Sequence, residues 1–318
     1  MLEASDLSKR FGRVHAVRKI GLSARPGCPL GLVGANGAGK STTLRLLATL
    51  LAPDQGSIEI DGVDALDRPE LARSRLGYLP ESGAIHPEMT PSEYVGFRAS
   101  LYTRFGLLRR RARRLAVERT LGLCDLVSVA TRPIGTLSKG FTQRTALAGA
   151  LVHDPPVVIL DEPTNGLDVA QLHHTRDVLR RLSDERTVVI SSHLVGEIER
   201  LCDEVAVIAG GRVVAHGSPA ELAGRSATTV RVEFESGSSD RLIAAALAEL
   251  EDAETTRAEG WSRVTGTSHD AASALESIGR AARAEGVALR TLESRRPSLD
   301  EALRGLIHAA GVGAGSDR

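Results

Sequence analysis

The stretch LGLVGANGAGKSTTLRLLATL, residues 30–50, decides the fold. A short apolar run, a glycine-rich turn and a helical pattern follow one another, and positions 34–41 fit G-x-x-x-x-G-K-S. Glycines let backbone N–H groups curl around an oxyanion without Cβ clashes. The helix that opens behind them adds the positive end of its dipole. Lys40 supplies a point charge for outer phosphates, and the Ser41 hydroxyl is a ligand for Mg²⁺. The candidate phosphate-binding set is therefore Gly34, Ala35, Asn36, Gly37, Ala38, Gly39, Lys40, Ser41 and Thr42.

A second stretch, VVILDEPTNGLD at 157–168, sets two acids at the end of an apolar strand. Asp161 is placed to hold a Mg²⁺ water shell. Side chains alternate along a strand, so Glu162 is expected to point elsewhere, where it would accept a proton from an attacking water as general base. Around these two stretches the chain reads as α/β, with short apolar runs alternating with helical patterns. Strands are expected at 30–33, 157–160, 187–191 and 205–208, and helices at 41–51, 107–121, 142–153 and 169–183. From 217–225 onward the pattern changes to that of a small α+β unit. TTVRVEFES alternates as a half-buried strand does, 239–251 and 271–285 have helical period, VALRTLES is a further strand, and Ser298 is a helix N-cap. Trp261 is expected to anchor that unit's core. The tail at 311–318 is expected to be disordered.

Composition narrows the function. The 318 residues balance 40 basic against 40 acidic side chains, and the basic ones are 4 Lys and 36 Arg. A net charge of zero excludes a chain that binds nucleic acid by overall electrostatics. Cys28, Cys124 and Cys202 are scattered, with neither metal spacing nor a disulfide framework. No apolar run approaches the roughly 18 residues of a membrane span, and 1–11 lacks the apolar core of a signal peptide. A role at a membrane would thus require another chain to do the crossing.

GANGAGKS, LSKGFTQR, ILDEP, NGLD and SSH occur in that order, and together they resemble the ATP-binding cassette (ABC) ATPases over residues 1 to about 222. The resemblance implies a P-loop nucleotide-binding domain of ABC type. Such a domain has a mixed sheet core, an N-terminal antiparallel β subdomain and an inserted helical subdomain, here about 82–145. A small α+β accessory domain at 226–310 follows. LSKGF is similar to the family's LSGGQ, with Lys139 and Phe141 as departures. Ser138 and Gly140, with Lys139 between them, match the positions that touch the γ-phosphate held by the other subunit. His193 matches the histidine that contacts the γ-phosphate. Asp168 matches the loop that crosses the subunit interface, and Phe11 the aromatic on which adenine stacks. ATP and Mg²⁺ are the implied cofactors, with Ser41, Asp161 and Glu81 as candidate metal ligands. Glu81, in GYLPES, stands where the family usually has Gln.

Only 121 positions separate Lys40 from Asp161, too few for the long coiled coils of DNA-repair members. The single phosphate loop also differs from the two-cassette ribosome-type members. GYLPES with MTPSEYVGFRASLY, and the tail PSLDEALRGLIH, resemble the exporter branch for drugs, antibiotics and lipids or glycans. The implied partners are a separately encoded permease and a second cassette, homodimeric or paralogous, without nucleic acid. The implied location is cytoplasmic, on the inner face of the cell membrane. The alternative is a non-transport cassette ATPase with a regulatory or ribosome-associated role.

Overall fold

The computed structural model describes all residues except 82–84, 105–111, 225–226, 236–239, 259 and 310–318. They form two compact units, Met1–Pro219 and Ala220–Ala309.

In the first unit the chain opens with β1 (Leu2–Phe11), β2 (Val14–Ala24) and β3 (Leu30–Val33), then α1 (Lys40–Leu47). Next come β4 (Gln55–Ile60), β5 (Val63–Asp64), α2 (Pro69–Ser74) and β6 (Leu76–Leu79). Three helices follow, α3 (Pro91–Arg104), α4 (Arg113–Leu123) and α5 (Lys139–Leu151). The rest is β7 (Val157–Asp161), α6 (Val169–Ser183), β8 (Thr187–Ser191), α7 (Val195–Leu201), β9 (Glu204–Ala209) and β10 (Arg212–Gly217); α8 (Pro219–Gly224) follows and, but for Pro219, belongs to the second unit.

Two sheets result. One is antiparallel in the order β2-β1-β4-β5; the other runs β10-β9-β3-β8-β7-β6 and is parallel except at β10. The parallel strands have no polar face. Every residue of β3, β7 and β8 is buried, as expected of strands covered on both sides. A single core joins Leu2, Ile20 and Ile58 of the first sheet with Leu32, Ile159 and Val189 of the second, and Leu44, Leu46 and Leu47 of α1 pack into it. Each such side chain contributes about 1.5–3 kcal/mol by leaving water. The helix α1 ends at Leu47 rather than 51. Thr49 takes a left-handed φ of 57°, and the amides of Leu50 and Leu51 both turn back to the Arg45 carbonyl. A buried Arg176–Glu197 pair fastens α6 to α7, whose start carries the loop after β8.

Register brings the strand ends together. Leu32 of β3 and Asp161 of β7 both lie opposite Ser191 of β8, so the segments that follow these three strands emerge at one edge. That is where parallel α/β sheets bind ligands. The inserted helices α3, α4 and α5 pack on one another; of the helix expected at 107–121, residues 107–111 lie outside the described residues. Among the described residues no helix is long and apolar enough to cross a membrane.

The second unit continues with β11 (Thr228–Glu235), α9 (Asp240–Glu249), β12 (Glu251–Ala258), β13 (Trp261–Ser268), α10 (Ala271–Ala284), β14 (Leu289–Arg295) and α11 (Leu299–Ala309). Its antiparallel sheet has the order β12-β13-β11-β14. Val230, Val232, Phe234 and Val264 of the sheet close its core with Leu242, Ile243 and Ile278 of the helices. Ser298 caps α11 reciprocally with Glu301. Trp261 is not in this core. Ser262 and Val264 point inward on β13, so alternation sends Trp261 to the other face, where its ring stacks on the Arg263 guanidinium at 4.8 Å.

Candidate active site

The loop after β3 is shaped by close approaches. A Cβ on Gly34 would lie 2.2 Å from the Ile208 carbonyl oxygen, and one on Gly39 would lie 2.5 Å from that of Ala16. Gly39 also has φ 109°, a conformation that side chains avoid. Further bonds tie the loop to its surroundings: the Gly211 amide donates to Ala38 O (2.9 Å), and the Arg18 amide to Gly211 O (2.7 Å). Among the described residues the amides of Asn36, Gly37, Gly39 and Lys40 donate to no protein acceptor. They are a row of donors awaiting an anion. Lys40 is 8% exposed and donates to Gly34 O (2.6 Å) and Ala35 O (3.1 Å). Burial pushes its ammonium below the ordinary value, against the pull of Glu162, Asp161 and Glu81.

Behind the loop, Ser191 Oγ donates to Asp161 Oδ1 (2.6 Å) and accepts from the Glu162 amide (3.1 Å). Asp161 is 3% exposed, and burial, followed by the nearby charges of Glu81 and Glu162, raises its proton affinity against the Ser191 bond. Glu162 lies beyond β7 with φ 52°. Its aim comes from this left-handed turn, not from the strand alternation expected above. Such a conformation costs on the order of 1–3 kcal/mol and persists only where the surroundings impose it. Here Ser191 imposes it, and His193 Nδ1 meets Glu162 Oε2 at 2.7 Å.

These groups open into a cleft of about 510 Å³. Of the expected residues, Asn36, Gly37, Gly39, Lys40, Ser41, Thr42, Glu81, Glu162 and His193 line it. Asp161 sits behind the lining, and Gly34, Ala35 and Ala38 belong to the loop without lining the cleft. Glu81 is exposed, with Oε1 at the long distance of 3.5 Å from Asn165 Nδ2. Phe11 stays outside. It is 48% exposed at the end of β1, opposite Val14, which does line the cleft. Ser138, Lys139, Gly140 and Asp168 are outside the lining too. The first three start α5, and Asp168 caps α6 by accepting from the Gln171 amide (2.9 Å). His15, Arg18, Asn165 and the Gly210–Gly211 turn were not singled out from the sequence. The one signal was compositional: the chain's only two asparagines, Asn36 and Asn165, both line the cleft.

Free loop amides, a buried lysine and a glycine turn too tight for side chains fit a nucleotide triphosphate. Among the described residues no three His, Cys, Asp or Glu side chains converge to hold a metal by themselves. The donor set fits Mg²⁺ instead, which takes one or two protein oxygens and completes its shell from phosphate and water.

The fold and site define a P-loop nucleotide-binding ATPase. Residues 17–165 match the model of the ABC transporter family. A Nod factor export ATP-binding protein I of Burkholderia orbicola is 37% identical over 70% of this chain and 72% of its own length. The linearmycin resistance ATP-binding protein LnrL of Bacillus subtilis is 30% identical over 94% of this chain and 96% of its own, so that similarity runs through the second unit as well. A solved ATP-binding subunit of an ABC transporter superposes with a TM-score of 0.62 at 28% identity, covering 71% of this chain and 92% of that one. The chain belongs to the ATP-binding subunits of ABC transporters and is an ATP hydrolase.

Proposed function

We propose that this chain powers export of an antibiotic, drug or lipid-like substrate through a separately encoded permease. It would work from the cytoplasmic face of the membrane and as one of two cassettes joined head to tail. The export assignment is supported by the similarity to LnrL over 94% of this chain and by the Nod factor export relative. The residues in GANGAGKS and Thr42 bind the phosphates. Lys40 neutralises outer phosphate charge, and the free amides of the loop supply fixed donors. Adenine packs at the Phe11–Val14 hairpin end, with His15 and Arg18 beside it. Ser41 and Asp161 would hold Mg²⁺, with Glu81 at its margin, and when bound the metal supplies charge neutralisation at the phosphates. Glu162 takes the proton of the attacking water, and His193 holds that carboxylate in place and orients the γ-phosphate. Ser138, Lys139 and Gly140 of one chain, with Asp168 beside them, complete the site of the other.

The observation that carries the mechanism is the 2.7 Å contact between Glu162 and His193 at the mouth of the Lys40 cleft. A general base needs an orienting partner, and this pair has one. Glu162→Gln should abolish steady-state hydrolysis, leave ATP binding intact and trap an ATP-dependent dimer on gel filtration. Continued hydrolysis by that variant would remove Glu162 from its role.

A further inference from the structure

The start of α5 makes a contact with α6 within its own chain. The Gly140 amide donates to the side-chain oxygen of Gln171 on α6, at 3.1 Å. The fit is close: a Cβ on Gly140 would lie 2.9 Å from both Cβ and Cγ of Gln171. Gln171 is itself held, because its amide donates to Asp168 Oδ1 at 2.9 Å. The same two segments meet again where Lys139 Nζ crowds Gly166, since a Cβ built on Gly166 would come 2.0 Å from that nitrogen. Ser138, although in the N-cap position, makes no side-chain cap bond. Of the groups at this helix start, the Gly140 donor is thus occupied and the Ser138 hydroxyl is left for something else.

We infer that Gln171 is a built-in stand-in for a phosphate oxygen, holding the Gly140 amide until a partner's nucleotide displaces it. This rests on the two-chain site proposed above. A carboxamide oxygen is a neutral acceptor, whereas a phosphate oxygen is charged and bonds about twice as strongly. Displacement is therefore downhill, but it subtracts one existing hydrogen bond from the gain on closing. Gln171 raises the ATP concentration at which two chains join. It acts as a positioning residue, since it meets neither the nucleotide nor the reacting water.

The test uses the full chain in a Glu162→Gln background and measures, by analytical ultracentrifugation, the ATP concentration for half-maximal dimer. Gln171→Ala frees the amide and should lower that concentration about three- to tenfold, the factor expected for one hydrogen bond. Gln171→Glu keeps the acceptor, strengthens it and adds repulsion against phosphate, so it should raise the concentration. Binding of a fluorescent ATP analogue to dilute monomer should be equal in all variants, because the Lys40 loop is untouched. If Glu162→Gln alone never dimerises with ATP, the two-chain site falls and the inference with it. If it dimerises and Gln171→Ala leaves the half-maximal ATP unchanged or higher, only the inference falls.

Discussion

Ser191 shows how much of this site depends on one buried hydroxyl. It is fully buried, and it both steadies Asp161 and receives the Glu162 amide that forces the left-handed turn. Its own carbonyl also accepts that amide, at 3.2 Å, so Ser191→Ala should keep the turn while leaving Asp161 without its partner. A hydrogen bond to a charged group is worth about 1.5–3 kcal/mol, so the turnover number should fall roughly ten- to a hundredfold with ATP binding nearly unchanged. Steady-state ATPase assays beside nucleotide titrations check this, and an unaltered turnover number would show that Asp161 does not need the hydroxyl. Nothing in SSH marks its first serine over its second. The residue types of the cleft were legible because phosphate chemistry restricts them to glycine, lysine and hydroxyl. The contacts that aim them were not, since they join positions about thirty apart through strand register.

At the scale of elements, legibility follows burial. The bounds of β3, β8 and α6 coincide with the expected ones, because each is a strongly apolar or strongly periodic segment. The hairpin of β12 and β13 was not foreseen. Nearly all of β12, EDAETTRA, is exposed, and β13 alternates through Ser and Gly rather than large apolar residues. The side of that sheet away from its core offers a pH test. Glu233 receives side-chain bonds from Arg231 and Arg263, which hold its carboxyl down at about 2 against an ordinary 4.5. A depressed value means that the ionised pair stabilises fully above pH 4.5 and is lost as the pH falls from there toward 2. Trp261 is the only tryptophan, and it stacks on Arg263, so its emission reports this sheet. Urea midpoints followed by that emission should be higher for the wild type than for Glu233→Gln at pH 6, with the gap closing as the pH approaches 3. A gap independent of pH would show that the carboxylate's charge contributes nothing here.

On the scale of the whole molecule, the cleft and the LSKGF segment pose a problem of assembly. Ser138, Lys139 and Gly140 carry the expected chemistry but line no part of the cleft that holds Lys40. If each site is shared, two differently crippled chains should repair one another. Lys40→Ala removes the phosphate charge from one chain, and Ser138→Arg blocks the helix start of the other. Neither variant should hydrolyse ATP alone. In a mixed dimer, the Lys40 of the Ser138→Arg chain meets the intact Ser138 of the Lys40→Ala chain, so one of the two sites is whole. An equal mixture places half its chains in such dimers, and activity should return to about a quarter of wild type if sites act independently, as expected for a contact that uses the same surface twice. Phosphate release assays on the separate and mixed proteins measure this directly. Full activity of Ser138→Arg alone would mean that each cleft is complete within its own chain, and the head-to-tail pair would then have no chemical reason to exist.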